Sequence, residues 1–457
     1  MSGLITQFFS RRGAIALRNP CGDSTYEELA SDINETIRTL RQGGVGAGNR
    51  ILFQPSHDKV SVVTLLALLE LESCVVLGNS RWPQSMIDAI KKRSRASVSV
   101  AVDTTGRVNV SRESDIPALS GECIGSASVV VPTSGSSGEP KLALIPVDRL
   151  LSSAQGALDV CALSAEDCWQ LSLPLFHVGG LGVVLRSIVA GSSIDLSSLQ
   201  QSVVAANASL VTHLSLVPTQ LHRLIRDPQG VEFLRRQKAI LLGGAPIGAT
   251  LCREACSLEL AIMPTYGLTE MSSLVTIEKA PFVNARGEVS LGCPVPGREF
   301  SVSGEGEVLV RGNTLFAGYL SDEGIEPSID EQGWFHTRDQ GSVGPCGELF
   351  VVGRADYQFI SGGENIHPEM IEIALTSIAP IVAACVVPTP DEEFGSRPVA
   401  FVVCDGGELN QSNIKERLRS LVPSYAIPVE IHVAPHEIVS SSGKIQRRVA
   451  LGLLQKS

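Results

Sequence analysis

Short apolar runs recur through the first two-thirds of the chain, most of them closed by Gly or Pro and separated by longer amphipathic stretches. RILFQ (50–54), CVVLG (74–78), SVVVP (128–132), WQLSLPLF (169–176), ASLVTHLSLVP (208–218) and AILLGGAP (239–246) have this form. A strand that is apolar on both sides needs cover on both faces, and the helical patterns in between supply it. The alternation predicts α/β layers built on largely parallel sheets. From about Glu288 the texture changes to short alternating strands such as EVLVRG (307–312) and GELFVVGR (347–354), as in a small β-rich subdomain. Beyond Arg354 a helix, HPEMIEIALTSI (367–378), leads into strands VAACVVPTP (382–390) and RPVAFVVC (397–404) and a further helix, NIKERLRSLV (413–422). The expected fold is therefore α/β and α+β. A large N-terminal domain of layered αβ sheets, 1–354, carries the β-rich subdomain, and a small α+β C-terminal domain spans 355–457.

Composition narrows the function. A chain of 457 residues is too long for one ordinary core, and 44% hydrophobic with 19% charged residues is globular. A formal charge of −11 leaves no basic surplus for nucleic acid, so small anions met by a few local cations are the expected partners. Eleven cysteines include no Cys-x-x-Cys pair; Cys252 and Cys256, four apart, share a helix face without a His to complete a zinc site. Reduced thiols in a cytoplasmic protein are the expected state. The most apolar window, 60–77, is broken by Glu70 and Glu72 and is no membrane span. Arg11, Arg12 and Arg18 precede the first acid, Asp23, as in a transit peptide. Against that, AIALRN (14–19) reads as a strand and STYEELASDINETIRTL (24–40) as a helix capped by Ser24 or Thr25.

PTSGSSGEPK (132–141) crowds Gly, Ser, Thr and one Lys together, the composition of a phosphate cradle. It is not a P-loop. Pro140 stands where the second Gly belongs, and KLALIP (141–146) alternates until a Pro stops it, so the loop joins two strands and opens no helix. No Gly-x-Ser-x-Gly elbow and no His-Glu-x-x-His helix occurs.

PTSGSSGEPK, YGLTE (266–270), GWFHTRD (333–339), VGRADYQFISGGENIHPEMIE (352–372) and SSSGKIQRR (440–448) together resemble, in order and spacing, the adenylate-forming superfamily of acyl-CoA synthetases, luciferases and peptide-synthetase adenylation domains. Within it SLPLFHVGGLGVVLR (172–186), LSLVPTQLHRL (214–224), LLGGAPI (241–247) and HTRD (336–339) are similar to the o-succinylbenzoate–CoA ligases of menaquinone synthesis. The resemblance implies an acid–thiol ligase using ATP, Mg²⁺ and coenzyme A on a small carboxylate; a homo-oligomer is left open.

It also implies roles. Thr133, Ser134, Gly135, Ser136, Ser137, Gly138 and Lys141 would hold the β- and γ-phosphates, with Thr269 on the α-phosphate and Glu270 on the metal. Gly243, Gly244 and Ala245 would pass along the adenine beside Tyr266 and Gly267. Asp339 would take the ribose hydroxyls, supported by Arg354. Lys444 would bridge the attacking carboxylate and the α-phosphate, on a C-terminal domain that swings about Asp356. Gly362 and Gly363 would then line the pantetheine tunnel. For the acyl pocket the residues leave alternatives open: His177 shapes the pocket or packs in the core, and Arg223 holds a second substrate carboxylate or makes a surface salt bridge. Arg338 departs from the Gly commonly found before this Asp.

Overall fold

The first long helix begins where its sequence asks it to. Thr25 accepts the Glu28 N–H through Oγ1 at 3.2 Å, and the Glu28 carboxylate accepts the Thr25 N–H at 2.8 Å, a reciprocal cap on Tyr26–Gln42. Such a cap stabilises a helix by about 1 kcal/mol. The strand Ile15–Arg18 precedes it, so ordered structure starts within the basic N-terminal stretch. The computed structural model describes residues 3–80, 82, 84–112, 127–133, 140–205, 210–321, 324–361, 364–391, 394–405, 410–434, 438–439 and 446–454.

Two large sheets form the first part of the chain. In one, six strands run parallel in the order Ile262–Leu268, Ala239–Leu242, His213–Leu216, Cys168–Gln170, Ser193–Asp195, Ile15–Arg18. Antiparallel strands close its two edges, Ser273–Ile277 followed by Cys293–Pro294 at one and Ser24–Thr25 at the other. In the second sheet Ser128–Thr133, Cys74–Leu77, Arg50–Phe53 and Val98–Val102 are parallel. Lys141–Pro146 turns back antiparallel on Ser128–Thr133, and Gly318–Ser321 pairs antiparallel beyond it. The sheets are thus largely parallel, as expected, and the short connections into Ser24–Thr25, Lys141–Pro146 and Ser273–Ile277 return those strands antiparallel.

Helix Lys59–Glu70 is buried along its length from Ser61 to Leu69, and Val178–Ala190 from Gly180 to Ile188. Helices apolar all round belong between layers, and both join one core that takes residues from the two sheets. WQLSLPLF does not form a single strand. Only Cys168–Gln170 is strand; Pro174 follows, and the Ser172 hydroxyl donates instead to the Ser215 carbonyl at 2.5 Å. The β-rich part is a four-stranded antiparallel sheet ordered Arg298–Val302, Glu307–Gly312, Phe335–Val343, Leu349–Arg354. The residues from Ile366 onward make their own apolar clusters around a sheet of Ile381–Asp391, Gly395–Cys404 and Glu430–Val433. No helix among the described residues is long and apolar enough to cross a membrane.

Candidate active site

The strands of the first parallel sheet end at one edge, where ligands meet α/β proteins. Strand Ala239–Leu242 ends in Gly243, Gly244 and Ala245, beside Thr265 of the next strand. Gly244 has φ +76°, a conformation that a residue with a Cβ adopts only under strain. Strand Ile262–Leu268 then carries Tyr266 and Gly267 into the tight turn Thr269–Met271. Gly267 is sterically required: a Cβ there would lie 2.2 Å from the Ser273 carbonyl oxygen.

Two hydrogen-bonded groups meet around this turn. In the first, the Tyr319 hydroxyl donates to Glu270 Oε1 at 2.5 Å, and Lys141 Nζ sits 4.8 Å from the centre of the Tyr319 ring. Burial, then the Glu270 charge, hold the Tyr319 phenol far above its usual range, so it remains a donor. Lys141 faces Thr133 across the antiparallel ladder, and Thr133 Oγ1 donates to the Lys141 carbonyl at 3.4 Å. The two ends of the phosphate-type loop thus lie together, with Lys141 at the Tyr319 ring whose hydroxyl holds Glu270. Ser134, Gly135, Ser136, Ser137 and Gly138 lie outside the described residues.

In the second group, the Tyr266 hydroxyl donates to Asp339 Oδ2 at 2.5 Å, while Arg354 Nη1 lies 3.5 Å from Oδ1. Asp339 and Arg354 are direct partners in neighbouring strands. Burial raises the Asp339 pKa, against the lowering effects of Tyr266 and Arg354. Tyr266 is itself buried, with its hydroxyl committed to Asp339. Arg338 has φ +61°. A residue with a side chain occupies a glycine-like position there, held by its N–H to Glu307 Oε1 at 2.9 Å. Strain of this kind costs on the order of 1–2 kcal/mol.

Not every expected residue joins these groups. His177 is the half-buried N-cap of helix Val178–Ala190, its ring 4.8 Å from that of Phe176. Arg223 is exposed in the last turn of helix Pro218–Leu224. Asp356 falls in the turn Ala355–Tyr357. Gly362, Gly363 and Lys444 lie outside the described residues. Among the described residues no cluster of three or more His, Cys, Asp or Glu could hold a metal. Clefts of about 550 and 430 Å³ open elsewhere, near Asp58 and His57, and include none of these residues.

One basic group escaped the sequence reading. Arg186 is 2% exposed, lies 4.7 Å over the Trp169 ring and has no hydrogen-bond partner at Nε. No carboxylate pairs with it among the described residues, and burial pushes its pKa down to about 10. Its guanidinium folds back over Gly182, toward the helix start at His177; a Cβ on Gly182 would lie 3.2 Å from it. The available signal was an Arg inside the apolar run VVLRSIVA (183–190). Tyr319 had none, being 49 residues from Glu270 in a strand of ordinary composition.

The family model for AMP-binding enzymes matches residues 125–320, and that for the AMP-binding enzyme C-terminal domain matches residues 370–444. The 2-succinylbenzoate–CoA ligase of Salmonella typhimurium is 33% identical over 447 residues, covering 96% of this chain and 94% of that protein. The Escherichia coli 2-succinylbenzoate–CoA ligase is 31% identical over 462 residues, covering 98% and 96%. Among solved structures, a single-residue variant of E. coli MenE with bound OSB-AMS has a TM-score of 0.83 at 28% identity, covering 100% of this chain and 99% of that one. ATP-bound MatB from Rhodopseudomonas palustris, 20% identical, shares the fold at a TM-score of 0.84 with 99% of each chain covered.

Proposed function

We infer the reaction from the family to which the chain belongs, that of the AMP-binding enzymes, and within it from the 2-succinylbenzoate–CoA ligases. The protein is an AMP-forming acid–CoA ligase. A carboxylate attacks the α-phosphate of ATP to give an acyl-adenylate and pyrophosphate, and the CoA thiol then displaces AMP to give the thioester. The acid is 2-succinylbenzoate and the product 2-succinylbenzoyl-CoA, for menaquinone synthesis. The observation that carries this reading is the approach of Lys141, Tyr319 and Glu270 to one strand end, with Tyr266, Asp339 and Arg354 grouped around the same strand.

In this reading Lys141, Thr133 and the hydroxyl-rich loop hold the β- and γ-phosphates, and Thr269 meets the α-phosphate. Asp339 accepts the ribose hydroxyls, with Tyr266 and Arg354 fixing its carboxylate. Gly243, Gly244 and Ala245 run beside the adenine. The Glu270 carboxylate, held by the Tyr319 hydroxyl, fits Mg²⁺, which binds one or two carboxylates together with phosphate oxygens and water. When bound, Mg²⁺ supplies charge neutralisation on the triphosphate. Tyr319 holds the Glu270 carboxylate in place for it. Residues 1–354 act as the nucleotide and acid domain and 355–457 as a domain that turns about Asp356, so that Lys444 serves adenylation and Gly362 and Gly363 line the thiol's approach.

The test is pyrophosphate release across a panel of carboxylic acids, with and without CoA. Release with 2-succinylbenzoate, and thioester only when CoA is present, is expected. Formation of ADP, or indifference to every acid, overturns the reading; a preference for fatty acids or plain benzoates moves it to another acid.

Two further expectations belong here. 2-Succinylbenzoate keeps one carboxylate unreacted, and Arg186 is the side chain we assign to it, since an exposed Arg223 would bind it under full solvent screening. Arg186→Met is expected to raise the KM for 2-succinylbenzoate about 30-fold, matching ~2 kcal/mol for a charged hydrogen bond. Tm should not fall, because removing a buried guanidinium that lacks a carboxylate partner relieves its desolvation. Arg223→Ala should leave KM within about twofold; the opposite pattern returns the role to Arg223. For the hinge, Asp356→Pro restricts the turn Ala355–Tyr357. Thioester formation should slow more than adenylate formation, and equal losses reject the hinge.

A further inference from the structure

The turn that carries Thr269 and Glu270 leaves through two consecutive residues with side chains in left-handed backbone, Ser272 at φ +56° and Ser273 at φ +112°. Neither is Gly or Asn, so surrounding contacts must hold the conformation. The contacts are present. Ser272 Oγ donates to the Thr314 carbonyl at 2.7 Å, and the Phe316 N–H donates to the Glu270 carbonyl at 2.7 Å. From the opposite side, Ser153 Oγ in helix Val147–Cys161 donates to the Ser272 carbonyl at 2.9 Å.

Ser153 is itself held by a buried arginine. Arg298 Nη2 donates to both the Ser153 carbonyl and Ser153 Oγ at 2.8 Å, and Nη1 donates to the Pro296 carbonyl at 2.8 Å. Arg298 is 4% exposed and pairs with no carboxylate among the described residues. Its place in the helix wall depends on Gly156, where a Cβ would lie 2.7 Å from both Nη1 and the Pro296 oxygen. The Ser153 hydroxyl thus accepts from a guanidinium and donates to a carbonyl. In a buried relay of this kind each bond polarises the next.

We propose that Arg298 and Ser153 are positioning residues for adenylate formation: their relay to the Ser272 carbonyl fixes the turn that presents Thr269 and Glu270 to the nucleotide. The assignment rests on the reading above, in which these two residues serve the α-phosphate and Mg²⁺. Arg298 and Ser153 touch no reactant. They act through the backbone of Ser272, from positions 145 residues apart in sequence. The relay matters to the first half-reaction, where metal and phosphate must be held together. Displacement of AMP from a finished adenylate needs the turn less.

Ser153→Ala removes the hydroxyl with little change of volume, and Arg298→Lys keeps the charge but loses the fork. Each variant is compared with wild type in acid-dependent ATP–pyrophosphate exchange and in thioester formation from pre-made acyl-adenylate. Thermal unfolding is followed with ATP plus Mg²⁺ and with ATP plus chelator. Exchange is expected to fall about tenfold, a misplacement effect. The Mg²⁺ concentration for half-maximal exchange should rise, with the KM for the acid and the thioester step within about twofold of wild type. The extra rise in Tm that Mg²⁺ adds to ATP should shrink, while the rise with ATP plus chelator stays. Unchanged exchange, or both half-reactions falling together with Tm, overturns the proposal. Wild type that performs no exchange at all would instead remove the functional reading beneath it.

Discussion

Lys444→Ala is expected to lower acid-dependent ATP–pyrophosphate exchange by about 10³-fold while thioester formation from pre-made acyl-adenylate stays within a few-fold. The first half-reaction brings a carboxylate against a triphosphate, two anions that repel as they approach and gather charge on the α-phosphate. An ammonium about 4 Å from both, at an effective dielectric near 20, offsets about 4 kcal/mol. Every ~1.4 kcal/mol is tenfold in rate, which sets the expected loss. In the second step the thiol attacks the acyl carbonyl, not the phosphate, and AMP leaves, so no carboxylate has to be brought against a triphosphate and that need is gone. The segment after Lys444 is firmly tied. Arg447, three residues on, forks onto Glu372 at 2.5 and 3.1 Å, reaches Glu369 at 3.3 Å and lies 4.6 Å over the Tyr357 ring. Tyr357 belongs to the turn assigned as the hinge. Lys444→Arg should recover part of the exchange, since charge matters more than shape. Equal losses in the two half-reactions would remove the lysine from this role.

The layered fold was legible because its signal is local. Apolar runs closed by Gly or Pro mark buried strands, and Thr25 with Glu28 marks a helix start, each within a few residues. Pro140 was equally informative in the negative: the loop it ends joins antiparallel strands, as expected, and leads into no helix. The site was legible only where motifs carry it. Asp339 and Arg354 lie 15 residues apart in adjoining motifs, and the structure pairs them across two strands. Tyr319 reaches Glu270 over 49 residues, and Arg298 reaches the turn through Ser153 by contacts over 145 and 119 residues; no periodicity announces such partners. Arg338 lies between these cases. Its departure from Gly was visible in the sequence, but the left-handed backbone and the Glu307 contact that hold it were not. Arg223 was chosen as a basic residue near a pocket motif, and its exposure directs attention to Arg186.

Asp339→Asn separates the demands of binding from those of stability. The side chain is 13% exposed, and its desolvation raises the pKa even with Tyr266 donating to one oxygen and Arg354 beside the other. A carboxyl whose folded-state pKa lies above its unfolded value holds its proton more tightly in the native protein. Its protonation therefore favours the fold at low pH, and that contribution is lost as pH rises from the unfolded value through the raised folded one. At neutral pH, above the unfolded carboxyl's value, Asp339 is therefore a net cost to the unliganded fold. Asn is isosteric and can still accept from Tyr266, so the variant should show a Tm at or above wild type at pH 7, with the difference closing on acidification. ATP should report the opposite. A carboxylate accepts from two ribose hydroxyls, whereas the amide offers one acceptor and turns a donor toward the second. Losing a charged hydrogen bond worth ~3 kcal/mol raises the KM for ATP about 100-fold. The KM for the acid should hardly move. A lower Tm at pH 7 would mean that the bonds from Tyr266 and Arg354 outweigh burial, and an unchanged KM for ATP would remove Asp339 from the ribose. The two readouts fail independently, so a carboxylate retained at a cost to the empty protein is distinguished from one that merely joins two strands.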